Sequence, residues 1–268
     1  MSISNHDNMS FLEHLEELRW HIIRSLIAIV SAAFICFLMK DFIVDTIIFG
    51  PKKMDFPTYK FLCQAGTLIG VETTFCGDKF PFIIQNITMA GQFSAHIMTS
   101  LISGFVISFP YVLFEFWKFV SPGLHKSERK KSRGFIFFSS TLFFLGVLFG
   151  YYIVIPLSIN FLSQYIFSNQ IENYIHLSSY IGLVRSSTLS AGIIFELPIV
   201  VYFLTKAGIL NPKIMIKYRK YALVLVLILA ALITPPDIFS QIIVAIPIAI
   251  LYQVSIFISK IFIKNQTK

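Results

Sequence analysis

Six apolar runs, each bounded by charges or helix-breaking residues, leave this chain few folds to adopt. They cover residues 20–39, 97–120, 135–157, 180–204, 221–234 and 239–258. A hydrocarbon core about 30 Å thick needs roughly 20 consecutive apolar residues in a helix, and all but the fifth run reach that length. A short run can still cross where the bilayer thins or neighbouring helices support it. With 56% hydrophobic and 13% charged residues in a chain of 268, there is too much apolar surface for a soluble domain to hide. Inside a bilayer each segment must satisfy its own backbone N–H and C=O groups. The runs therefore predict an all-α integral membrane protein with six transmembrane helices.

Lys and Arg set the orientation, because basic residues are retained on the cytoplasmic side. With the N-terminus inside, sixteen of the 22 basic residues fall on inner segments and six on outer ones. Both N- and C-termini are thus expected in the cytoplasm. This bias and an anionic inner leaflet account for the net charge of +8, which calls for membrane lipid and no nucleic acid. Met39, Lys40 and Asp41 follow the first run directly, with no small-residue cleavage site, so a retained helix is expected rather than a removed signal peptide.

Two inner segments carry unusual carboxylates. Between Glu115 and Arg133 lie six of the basic residues, and Glu128 stands among Lys126, Arg129, Lys130, Lys131 and Arg133. One reading is a solvated charge that balances its neighbours. The other is an acceptor placed near Phe119 for a partner's arginine, since carboxylate and guanidinium match as a two-pronged pair. Ser10 and Glu13 form a capping box, and Phe11, Leu15, Leu18 and Ile22 make one apolar stripe. Residues 10–19 therefore read as an amphipathic surface helix. Glu13, Glu16 and Glu17 on such a helix can be a solvated face, yet acids beside an anionic leaflet are unfavourable and point to a cationic partner.

Residues 40–90 form a long outer loop rich in Pro and Gly, expected to fold into turns and short helices. Cys63 and Cys76 in that loop either pair as a disulfide on an oxidising face or remain free. Pro110 interrupts the second run, which neighbouring helices can tolerate. Gly146 and Gly150, four apart, suit close helix packing. Glu196 lies within the fourth run, two residues before Pro198. An ionised carboxylate at that depth costs at least about 2.5 kcal/mol, so it is protonated against a neighbour, paired, or functional. Asp237, after Pro235 and Pro236, is suited to cap the last helix. Gln241 one turn on can bond within the bundle or line an outer cavity. No GxxxxGK[ST], GxSxG or HExxH motif occurs, and no Cys/His cluster suggests a metal.

His14 to Arg19 (HLEELR), Phe116 to Arg129 (FWKFVSPGLHKSER), Phe195 to Pro198 (FELP) and Thr234 to Gln241 (TPPDIFSQ) follow one another in this order. Together they resemble the TatC family, the large subunit of the twin-arginine protein translocase. The resemblance implies a concave, glove-like bundle of six helices in the cytoplasmic (inner) membrane, without cofactor or enzymatic activity. It implies a receptor for signal peptides bearing two adjacent arginines on folded cargo, driven by the proton motive force. It further implies recognition through Glu17, Phe119 and Glu128, and homo-oligomerisation within a complex. Glu196 would hold the single helix of TatA or TatB, the small partner subunits. Pro51, Asp237 and Gln241 fall on family motif positions. The first outer loop is longer than is common in the family, and Glu16 stands ready to share the signal's charge. The alternative from another class is a proton- or ion-coupled solute carrier with Glu196 as relay; an intramembrane enzyme is disfavoured by the missing catalytic groupings.

Overall fold

Proline, glycine and irregular turns decide where the apolar runs of this computed structural model begin and end. It describes residues 11–69, 74–77, 80–120, 132–168, 170, 173–206, 208–234 and 238–266. Helix α1 spans Phe11–Leu38. A π-helical turn at Asp41–Ile48 and a 3-10 turn at Gly50–Lys52 lead into α2, Pro57–Ile69. Helix α3 is Gly91–Val120, with Pro110 inside it. Helix α4, Ser132–Phe149, runs through a π-helical turn at Gly150–Val154 into α5, Ile155–Gln164. Helices α6 (Leu177–Phe195) and α7 (Leu197–Lys206) form one broken rod. Short α8 (Pro212–Lys217), α9 (Arg219–Ile233) and α10 (Ile238–Gln266) complete the described chain.

Five of these rods are long and apolar enough to cross a membrane: His14–Leu38, Gly91–Val120, Gly134–Gln164, Leu177–Lys206 and Ser240–Ile261. The fifth sequence run becomes α9, whose 15 residues extend only about 22 Å at the α-helical rise. Residues 10–19 do not stand apart as a surface element, because from Phe11 onward they are the first turns of the unbroken α1. A strictly all-α description also needs correction. Ile83–Gln85 (β1) and Tyr174–His176 (β2) pair in parallel, with Ile83 opposite Tyr174 and Gln85 opposite His176. Strands of three residues show no alternation to read, and their partners lie about ninety positions apart in the chain.

The chain divides into two compact units. The first comprises Met1–Ile43 and His96–Thr141, the second Val44–Ala95 and Leu142–Lys268. In the first, α1 and the larger part of α3 come together at Gly104, where an added Cβ would run into the Ala33 backbone. His96 stacks on Phe37 at 4.0 Å and its Nε2 lies 3.1 Å from the Phe37 carbonyl. Trp117 stacks on Phe135 at 4.4 Å.

In the second unit, one apolar cluster gathers Ile48, Phe82, Ile155, Ile159, Tyr180, Ile181 and Val184. Another joins Val154, Val226, Ala230, Val244, Ala245 and Ile248. The two glycines four apart in α4 and the following turn do permit close approach. A Cβ on Gly146 would meet the Ala191 carbonyl at 2.6 Å, and one on Gly150 the Ser187 carbonyl at 2.9 Å.

Candidate functional site

Polar residues recur on one side of α1 at helical spacing: His14, Glu17, His21 and Arg24. Tyr111, Glu115, Lys118 and Phe119 do the same near the end of α3. Both stripes belong to the first unit, and they meet. His21 Nδ1 lies 2.6 Å from Glu115 Oε2, a short bond between a ring nitrogen and a carboxylate that is 2% exposed. The same oxygen lies 3.9 Å from Arg24 Nη1, and Lys118 Nζ stands 4.0 Å from Glu115 Oε1. The Tyr111 hydroxyl interacts with this carboxylate as well. Glu115 is therefore a buried acid surrounded by donors, the arrangement a carboxylate needs once it leaves water.

Glu17 is arranged differently. Its Oε1 stands 4.0 Å from His21 Nε2, at the limit of an ion pair. Its Oε2 is buried and has no hydrogen-bond partner among the described residues. Phe119 completes the cluster: its ring stacks on His14 at 4.5 Å and meets His21 edge-on at 6.2 Å. Two of the three recognition residues expected from the sequence, Glu17 and Phe119, thus both contact His21. Glu128 lies outside the described residues, as do Ser10 and Asp237.

Glu115, His21 and His14 are members of this cluster that motif reading did not assign. Glu115 and His21 sit near the ends of apolar runs, where they pass for flanking polarity. The available signal was a pair of complementary polar stripes at three- and four-residue spacing on two separate runs. Among the described residues, no three His, Cys, Asp or Glu side chains are grouped to hold a metal ion.

The other expected site residues lie in the second unit. Glu196 occupies the break between α6 and α7, and its side chain is half-buried. The break follows from Pro198, which has no N–H and crowds the carbonyl four residues before it. Glu196 N–H donates instead to Ile193 O at 3.1 Å, and Glu196 O accepts from Ile199 and Val200 at 2.9 and 3.0 Å.

Gln241 Nε2 donates to Leu227 O at 3.1 Å, so of its two expected roles it takes the bond within the bundle. Pro51 is fully buried, and its carbonyl accepts from the Tyr59 hydroxyl at 2.9 Å. Tyr59 has no exposed surface, and this burial pushes its phenol well above its ordinary range. Cys63 and Cys76 are joined as a disulfide that ties α2 to the 3-10 turn at Thr74–Cys76.

Residues 13–247 match the family described as TatC, Sec-independent protein translocase protein. A protein of that name from Blattabacterium sp. subsp. Periplaneta americana is 46% identical, over 94% of this chain and 96% of its own. Its counterpart from Aquifex aeolicus is 33% identical over 94% of this chain and 95% of its own. A crystal structure of a twin arginine translocase receptor, TatC, superposes with a TM-score of 0.68 at 31% identity, over 92% of this chain and 98% of that one. A second crystal structure, of the receptor in DDM, gives a TM-score of 0.70 at 32% identity, with 91% and 98% covered.

Proposed function

This chain belongs to the TatC family of Sec-independent protein translocase proteins, and from that premise we propose that it is the receptor subunit reading signal peptides with two adjacent arginines. As a family member it is a multi-pass membrane component of a translocase and not an enzyme. In the proposed role it works with TatA and TatB, or one TatA-type subunit, as part of an oligomeric complex. Folded cargo crosses the inner membrane at the expense of the proton motive force. The charge distribution, sixteen basic residues against six, supports six crossings with both termini cytoplasmic. α9 serves as the short crossing.

One observation carries the reading: Glu17 presents a buried carboxylate oxygen with no hydrogen-bond partner among the described residues, beside the histidine-stacked Phe119. A carboxylate oxygen held out of water without a donor favours a visiting cation strongly. Guanidinium suits it better than ammonium, because it offers a planar fork of donors and is less tightly hydrated. Phe119 adds an aromatic face on which such a group can lie. Glu128 supplies the second carboxylate for the second arginine. Glu196 offers a carboxylate at the break between α6 and α7, suited to a polar residue in a partner's single helix.

The test uses the full chain in lipid nanodiscs and a fluorescent peptide with two adjacent arginines. Glu17→Gln combined with Glu128→Gln should weaken binding by at least about tenfold; unchanged affinity would sink the receptor assignment. Glu196→Ala should leave peptide affinity intact and reduce co-purification of the small subunits, and retained co-purification removes Glu196 from that role.

A further inference from the structure

Glu17 is under-neutralised for its surroundings: its Oε1 reaches His21 only at 4.0 Å, and its buried Oε2 has no hydrogen-bond partner among the described residues. His21 lies one turn away on its own helix, Arg24 lies on the same side a turn beyond, and Lys118 stands on the facing helix. Attraction between opposite charges a few ångströms apart at a partly dry surface is worth several times its value in water. Left to themselves, these cations would neutralise Glu17, and a visiting guanidinium would have to displace them.

All three reach Glu115, and His21 holds it far closer than it holds Glu17. His21 presents Nδ1 to it at 2.6 Å, leaving Nε2 at 4.0 Å from Glu17. Arg24 and Lys118 approach the two Glu115 oxygens at 3.9 and 4.0 Å. The difference in burial explains the preference. Glu115 is 2% exposed against 29% for the Glu17 side chain, and the less solvated carboxylate gains more from each cation.

We propose that Glu115 is a positioning residue that draws His21, Arg24 and Lys118 onto itself and so keeps Glu17 open for the cation of a signal peptide. The inference rests on the receptor reading above and adds a specificity device to it. Glu115 itself touches no ligand. It acts through these three basic side chains, and its charge matters more than its shape. Phe119 is part of the same arrangement, since the edge-on contact from His21 requires the ring orientation that the Glu115 bond imposes.

Glu115→Gln keeps the size and a polar acceptor while removing the charge. In nanodiscs it should bind the two-arginine peptide about tenfold more weakly than the wild type, because the released cations turn to Glu17. Glu115→Asp should retain most of the affinity. The decisive variant is Glu115→Gln with His21→Gln, which removes the released side chain nearest Glu17 and should recover binding to within about threefold of the wild type. A merely structural pair would give a double variant as weak as the single one or weaker, and that result overturns the proposal. So does unchanged binding by Glu115→Gln, or failure of both variants to yield folded protein. A wild type that binds no two-arginine peptide would defeat the receptor reading and this inference with it, an outcome distinct from all the others.

Discussion

The polar cluster of the first unit and a tyrosine-bonded belt in the second solve the same problem with different groups. In the belt, the backbone leaves regular helix at Asp41–Ile48 and Gly50–Lys52, so carbonyls lose their partners four residues on. Tyrosine hydroxyls take them up. Tyr151 donates to Ile47 O at 2.8 Å, Tyr180 to Ile48 O at 2.8 Å, and Tyr59 to Pro51 O at 2.9 Å. These bonds are neutral, nearly dry and specific to one backbone position. No visiting ligand has a reason to replace them.

In the first unit the buried polar groups include the ionisable side chains of His21 and Glu115, on two facing helices. Glu115 is saturated by donors and Glu17 is not. An ion pair of this kind near a surface exchanges partners at modest cost, because one charge replaces another. Neutral hydroxyl-to-carbonyl bonds make a fixed frame, whereas unevenly satisfied carboxylates make a receptive surface.

The contrast can be broken first at the disulfide. Cys63→Ala with Cys76→Ala frees a stretch with a sequence separation of 13, and should lower stability by about 3 kcal/mol. Thermal unfolding in detergent would report the loss, while affinity for the two-arginine peptide should hold. Gly146→Leu comes next. It forces a side chain against the Ala191 carbonyl and should cost about 2 kcal/mol by the same assay. Tyr180→Phe leaves the Ile48 carbonyl without its hydroxyl and should cost about 1 kcal/mol, again with unchanged peptide affinity.

The opposite pattern is expected in the first unit. His14→Ala removes the ring stacked on Phe119 and should weaken peptide binding by about threefold while the unfolding temperature stays within error. The smallest effect at neutral pH comes from titration. Burial raises the Tyr59 phenol in the folded state, so its contribution is fully present below the unfolded value of about 10 and declines as pH rises beyond it. Alkaline unfolding of the Tyr59→Phe variant should accordingly be shallower above that pH.

Much of this was legible in the residues. Apolar runs, their lengths and the distribution of Lys and Arg depend only on local composition and on what a bilayer tolerates. They therefore indicated the long helices and the short α9 directly. The four motifs likewise led to the family, because their identity and order do not depend on how the chain packs. Gly146 and Gly150 advertised close packing through their spacing alone.

Other features needed the fold, since they arise from groups distant in the chain. The β1 and β2 pairing joins three-residue segments too short to carry a pattern. The pairing of Cys63 with Cys76 stood open, since spacing permits a bridge without requiring one. Above all, nothing local distinguishes Glu115 from Glu17: each is one acid near the end of an apolar run. Packing of α1 against α3 alone buried one among His21, Arg24 and Lys118 and left the other with a buried oxygen lacking a hydrogen-bond partner among the described residues, because a carboxylate's state is set by the groups brought within a few ångströms of it and by the water taken away.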